Sequence, residues 1–272
     1  MKQLTARPFA KAAAFMAAGA LAVFGLSACS GGSEEPAAEG GDEAASKTYE
    51  IVADNAFAPF EFLAEGSDGE YIGVDMDILA AIAEDQGFEY TVDNCGWDAA
   101  IGNLNTGQAD GMIAGMSITE ERQENYDFSD PYYEGGQIMI VKGDSSIASY
   151  EDLAGQTVAV KTGTQSAAFA NSIAEEYGFT VVTYDDSPAV YAAVTGGIDA
   201  AGFEDYAVIS YQIENQDLDL KMVGDQQQIT PYGFAVLKGS NPELIEMFNA
   251  GLANITESGE LAEIFAKYGI EI

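Results

Sequence analysis

From residue 48 onward the sequence alternates between short apolar runs and longer segments whose apolar residues recur every three to four positions. That rhythm predicts strands joined by helices, and hence parallel sheets in an α/β fold. Tyr49 to Ala53 reads as a strand, broken by Asp54 to Pro59. Residues 75–86 place Met76, Leu79, Ala80 and Ala83 at i, i+3, i+4 and i+7, an amphipathic helix stopped by Gly87. Phe88 to Val92 is a second strand. Asp98 is the expected N-cap of a helix with Ile101 and Leu104 on its inner face. Gly111 to Ala114 is a buried strand, and Thr119 caps a short helix whose Glu120 and Glu121 suit its positive end.

The same grammar returns in the second half. Thr157 to Val160 is a strand, Lys161 to Thr164 a turn, and Gln165 to Tyr177 a helix closed by Gly178. Thr180 to Tyr184 and Asp199 to Phe203 are strands, and Ser187-Pro188 reads as an N-cap followed by Pro at the first helical position. Asn241-Pro242 repeats that device, with Leu244, Phe248, Leu252 and Ile255 along one helix face. Leu261, Ile264, Phe265 and Tyr268 line the last helix. The elements divide into two α/β lobes of about a hundred residues each.

Composition narrows the chemistry. Lys and Arg number 10 against 45 Asp and Glu, a formal net charge of -35, so affinity for nucleic acid or an anionic lipid face is not expected. There is no His, which excludes a His base or ligand, and two Cys cannot build a zinc cage. No metal and no cofactor is expected.

Residues 1–28 carry Lys2, Arg7 and Lys11, no acid, and an apolar run from Ala12 to Leu26. This is the layout of a signal peptide rather than a membrane span. It ends in Leu26-Ser27-Ala28-Cys29, which resembles the lipobox of bacterial lipoproteins, in which the Cys is lipidated and becomes the new N-terminus. Residues 29–47 then form a tether without large apolar residues. The protein is expected outside the cytoplasm, held to the cell membrane by its lipid anchor alone. Cys95 is left without a disulfide partner and reads as a small buried hydrophobe. Beyond residue 28 only seven cations remain, and Arg122 is the single Arg among them.

Ligands bind at the ends of strands in such sheets. Four segments fall there: Asp54 to Phe60, Gly96-Trp97-Asp98, Ala114 to Arg122, and Lys161 to Ser166. They resemble the family 3 bacterial extracellular solute-binding proteins of polar amino-acid ABC transporters. The matching motifs are DNAFAPFEF (54–62), GVDMDILAAIA (73–83), ADGMIAGMSITEERQENYDFSDPYYEGG (109–136), VAVKTGTQS (158–166) and PYGFAVLKGSNPELIEMFNAGLANI (231–255). The resemblance spans essentially all of 48–272. It implies a two-lobed periplasmic-binding-protein fold of type II, with the ligand cleft between lobes joined by two crossing strands. Lobe 1 would be 48–136 plus 232–272 and lobe 2 would be 137–231, with crossings near Gly135-Gly136 and Thr230-Pro231.

An α-amino acid sealed in a cleft needs both its charged groups paired. Arg122 matches the family's carboxylate-binding Arg, whose guanidinium grips through two parallel hydrogen bonds. Ser117 is expected to add a hydroxyl or backbone N–H, and Gly115 a carbonyl to the ammonium. Thr164 and Gln165 open a helix, so N–H groups there face the carboxylate. The family places an acid for the ammonium after the strand that begins at Asp199. Asp205 is favoured for it by the following Tyr-x-Val, and Glu204, the alternative, is then expected to be solvated. Phe57 and Trp97 match aromatics that sandwich the ligand, although core packing would also explain them. Asp54 and Lys161 are left to read the side chain, offering an acceptor and a donor to an amide, unless they pair with each other. Glutamine fits that pair best, although Phe203 or Glu204 stands where the glutamine branch has a polar residue. The function implied is a monomeric capture protein that hands a polar amino acid to an ABC permease and its ATPase. An enzyme of the dehydratase type and a sensor without transport are the alternatives.

Overall fold

The computed structural model describes residues 47–272. The expected signal peptide, Cys29 and nearly all of the tether lie outside the described residues.

Two five-stranded sheets organise the chain. Across the first, the order is Glu89–Asn94, Thr48–Ala53, Gly111–Met112, Ala235–Leu237 and Tyr126–Phe128. Across the second it is Thr180–Tyr184, Thr157–Lys161, Ala201–Asp205, Tyr133–Lys142 and Leu220–Tyr232. A small third sheet of Ala56–Phe57, Glu61–Leu63 and Tyr71–Ile72 lies beside the first. Each large sheet with its helices forms one lobe.

Both large sheets are mixed, where parallel sheets were expected. In the second sheet Thr157–Lys161 pairs in parallel with Thr180–Tyr184 and Ala201–Asp205, but Tyr133–Lys142 runs antiparallel to both its neighbours. The cause is the connection between lobes. One strand carries the chain out of the first lobe and the other brings it back, so they pair in opposite directions. Their shared end is Gly135 opposite Thr230, Glu134 opposite Pro231 and Tyr133 opposite Tyr232. Gly135 is required there, because a Cβ would stand 2.2 Å from the Tyr232 hydroxyl.

Amphipathic helices seal each sheet. Ile78, Leu79 and Ile82 of Val74–Gln86 are fully buried in one cluster with Leu244, Phe248 and Leu252 of Pro242–Ser258. Phe248 stacks on Phe234 at 4.7 Å. Each such side chain contributes about 1.5–3 kcal/mol by leaving water. In the second lobe Gln165–Tyr177 sends Phe169 and Ala170 to one face of the sheet. Ser187–Thr195 sends Val190, Tyr191 and Val194 to the other.

Helix ends depart from the sequence reading at three points. Helix Trp97–Asn105 starts one residue before Asp98, with Gly96 as N-cap at φ 90. For Ser187–Thr195 the cap is Asp186, whose carboxylate accepts the Ala189 N–H at 2.8 Å and displaces Ser187 into the first turn. Asn241 holds the N-cap position, but its side chain makes no cap bond and instead donates to the Asp110 carbonyl at 3.0 Å. Thr119 caps as expected, its Oγ1 accepting the Arg122 N–H at 3.2 Å. Cys95 is free and half-buried against the Val52, Trp97 and Met112 cluster, more exposed than expected.

Candidate functional site

Asp54, Phe57, Trp97, Gly115, Ser117, Arg122, Lys161, Thr164, Gln165 and Asp205 all border one space, with Ala114. Its volume is about 20 Å³, room for about one water molecule, with the facing side chains of the two lobes occupying the rest. The folding logic is local. Asp54 leaves the end of Thr48–Ala53, and Lys161 and Asp205 end their strands in the other sheet. Trp97 and Gln165 each begin a helix, and Arg122 sits on the short turn Glu120–Gln123.

Arg122 reaches across the cleft. Its Nη1 donates to the Ser117 carbonyl at 3.0 Å in its own lobe, and Nη2 to the Gly163 carbonyl at 3.3 Å in the other. The guanidinium carbon lies 5.1 Å from the Trp97 ring. Burial pulls its pKa down while the charge of Asp205 pushes back, and a guanidinium stays protonated regardless.

Lys161 and Asp54 form an ion pair across the lobes, each side chain only 3% exposed. The sequence left open whether these two would pair, and they do. The ammonium lies 5.5 Å from the Phe57 ring and 5.8 Å from Trp97, so two aromatic faces support the cation. Phe57 is also stacked on Phe60 at 5.7 Å. It therefore belongs to both the cavity wall and the core.

Asp205 occupies the N-cap position of helix Tyr206–Gln216 yet makes no cap bond. Its Oδ1 turns instead to the Tyr232 hydroxyl and to the Gln137 amide at 2.9 Å. Burial raises its pKa, and those two hydrogen bonds with the charges of Arg122 and Lys161 hold it down. Glu204 does not border the cavity, and it is not solvated. Strand alternation turns it to the opposite face from Phe203 and Asp205. There it is 3% exposed and accepts the Tyr191 hydroxyl at 3.0 Å.

Gly115 has φ 52, and a Cβ there would meet the Phe57 ring at 2.5 Å. Its N–H donates to Asp75 at 2.7 Å, away from the cavity. Thr164 caps its helix, accepting the Ala167 N–H at 3.3 Å and donating to the Lys161 carbonyl at 2.7 Å. Helix geometry leaves the remaining first-turn N–H groups without an intrahelical partner. The Gln165 side chain donates to Gln228 at 2.8 Å.

Sequence reading missed the supports. Tyr232 and Gln137 lie on the connecting strands, where their apolar surroundings look like ordinary core. Ser166 extends the chain by donating to Gln137. Nothing in the spacing of these residues marks them, because they meet only through strand pairing.

The model for the family described as bacterial extracellular solute-binding proteins, family 3, matches residues 49–271. A probable histidine-binding protein of Neisseria gonorrhoeae is 32% identical over 261 residues, covering 94% of each chain. An ABC transporter glutamine-binding protein, GlnH of Bacillus subtilis, is 31% identical over 265 residues, covering 91% of this chain and 93% of its own. The crystal structure of an ancestral arginine-binding protein bound to arginine is 36% identical with a TM-score of 0.75, covering 82% of this chain and 98% of that one. Three relatives of comparable identity thus name three different amino acids. Choice among ligands has to come from the cavity.

Proposed function

The chain belongs to the bacterial extracellular solute-binding proteins of family 3, with the two-lobed α/β fold of amino-acid-binding relatives, and on that premise we propose that it captures a free polar amino acid outside the cytoplasm for an ABC permease. Among polar amino acids we infer glutamine. The named relatives are binding proteins, and this chain is read as one too, not as an enzyme.

The observation that carries the reading is the charge complement of the cavity. Arg122 and Lys161 face Asp54 and Asp205 in one space that excludes most water. A zwitterion with a neutral side chain enters such a site without adding net charge. Its carboxylate takes the Arg122 fork and the first turn of Gln165–Tyr177, and its ammonium takes Asp205 and the Gly115 carbonyl. A side-chain amide offers its C=O to Lys161 and its N–H groups to Asp54. An arginine or lysine side chain would bring a second cation against Lys161, and a glutamate side chain would meet Asp54. Contacts to both lobes at once favour the closed state, which is the form a permease would receive.

Cys29, on the same reading, is lipidated and residues 29–47 tether a monomeric binding unit to the membrane. Cys29→Ser should move the protein from the membrane fraction to the medium.

The test is calorimetric titration of the unfolded and refolded protein with glutamine, glutamate, asparagine, arginine, cystine and histidine. Tight binding of glutamine that is lost in Arg122→Ala and Lys161→Ala is expected. Tight binding of arginine would retain the transport role and overturn the glutamine assignment. No binding of any amino acid would overturn the whole reading.

A further inference from the structure

Two fully buried carboxylates that do not border the cavity are arranged alike in the two lobes. In the first, Asp75 accepts the backbone N–H of Gly115 at 2.7 Å and the hydroxyl of Tyr132 at 3.1 Å. In the second, Glu204 accepts the backbone N–H of Asp205 at 3.0 Å and the hydroxyl of Tyr191 at 3.0 Å. In each case one acid, steadied by one tyrosine, holds the main chain of a residue that borders the cavity. Gly115 and Asp205 are the two residues assigned above to the ligand's ammonium.

We propose that Asp75 and Glu204 are positioning residues for the ammonium subsite, each fixing from behind the backbone of the residue that contacts the cation. The inference rests on the amino-acid reading of the cavity. A hydrogen bond to an ionised carboxylate is stronger and shorter than one to a neutral acid or amide. Ionised Glu204 therefore holds Asp205 in place and adds negative potential beneath it. Ionised Asp75 pins the Gly115 N–H inward and keeps its carbonyl free for the cleft.

Both acids sit where their charge is costly. Burial raises Glu204 to about 7, with the Asp205 charge adding to the rise and its backbone N–H and Lys161 opposing it. The groups facing it are Asp205 on its own strand, Tyr191 and Ser187 on the helix above, and Lys161 on the neighbouring strand. Burial raises Asp75 to about 6, against the Gly115 N–H, Tyr132 and Glu61. An incoming ammonium favours the ionised form of each. Ligand binding near neutral pH thus expels a proton, about half a proton per ligand for a group half-protonated in the free protein.

The experiment is calorimetric titration of the full chain and of Glu204→Gln with glutamine, or with whichever of glutamate, asparagine, arginine, cystine and histidine the unaltered chain binds most tightly, at pH 5.5 to 8 and in buffers of different ionisation enthalpy. For the unaltered chain, proton release around pH 7 is expected. In Glu204→Gln the release around pH 7 should fall to the small share left to Asp75, and affinity should fall about tenfold at pH 8 while nearly matching the unaltered chain at pH 5.5. Asp75→Asn should show the same convergence at acid pH. If it does not fold, the Glu204→Gln comparison decides alone. A loss of affinity that is equal at every pH, or unchanged proton release, would reduce Glu204 to a structural group and overturn the inference alone. Absence of amino-acid binding by the unaltered chain would overturn this inference together with the function it rests on.

Discussion

Replacing Lys161 by Met separates closure of the cleft from stability of the fold. In the closed form Asp54 and Lys161 neutralise each other with side chains 3% exposed. Among the described residues the Asp54 carboxylate is otherwise bonded only to the Asn55 N–H, at 2.7 Å through its other oxygen. Lys161→Met leaves a carboxylate uncompensated in a site walled by Phe57 and Trp97. Breaking one side of a buried ion pair costs about 3–5 kcal/mol. Unlike a core charge, this one has an escape, because the pair bridges two lobes and opening hydrates Asp54. The penalty should therefore fall on the closed state and not on folding. The closed population, and with it the affinity for the amino acid, should drop by about two orders of magnitude or more. The melting temperature without ligand should shift by only a few degrees. A double variant, Asp54→Asn with Lys161→Met, buries no charge and should close again, even if it no longer reads an amide. Small-angle scattering reports closure, calorimetry reports affinity, and a thermal scan reports stability. A single variant that melts far lower, or a double variant that closes no better than the single one, would refute the reasoning.

Three further outcomes follow from the same geometry. Arg122→Lys retains the charge but not the fork that spans Ser117 and Gly163, so affinity should fall about a hundredfold with the melting temperature nearly unchanged, measured by calorimetry and thermal scan. The unliganded protein should lose stability as pH rises from about 4.5 to 7, measured by urea unfolding. The folded state keeps Glu204 protonated up to about 7, above its ordinary value of 4.5, so it holds a proton that the unfolded chain has released, worth about 3 kcal/mol for this group. Glu204→Gln should flatten that slope, and a stability that rises over the window would contradict the assignment. Gly115→Ala forces a Cβ onto the Phe57 ring at a left-handed φ and should cost about 1–3 kcal/mol with a parallel loss of ligand affinity.

What the sequence disclosed depended on how local each signal was. Helix Val74–Gln86 and its Gly87 stop, the Thr119 cap and the Gln165–Tyr177 helix were legible, because period, cap and stop lie within one stretch of chain. The cavity residues were legible too, through motifs that sit at strand ends, and those positions converge in one place. Mixed sheets were not legible, since strand direction depends on where the chain crosses between lobes. Glu204 shows the limit most clearly. Read alone, a carboxylate next to a surface helix is solvated. Placed on Ala201–Asp205, it turns to Tyr191 on one face of the sheet, and its neighbour Asp205 borders the cavity. One position along a strand thus separates an acid that borders the cavity from an acid buried behind it and bonded to its backbone. In a chain with 45 acids and 10 bases, composition cannot say which carboxylates matter. Pairing and burial can, because water must be left behind only by those with a partner to replace it.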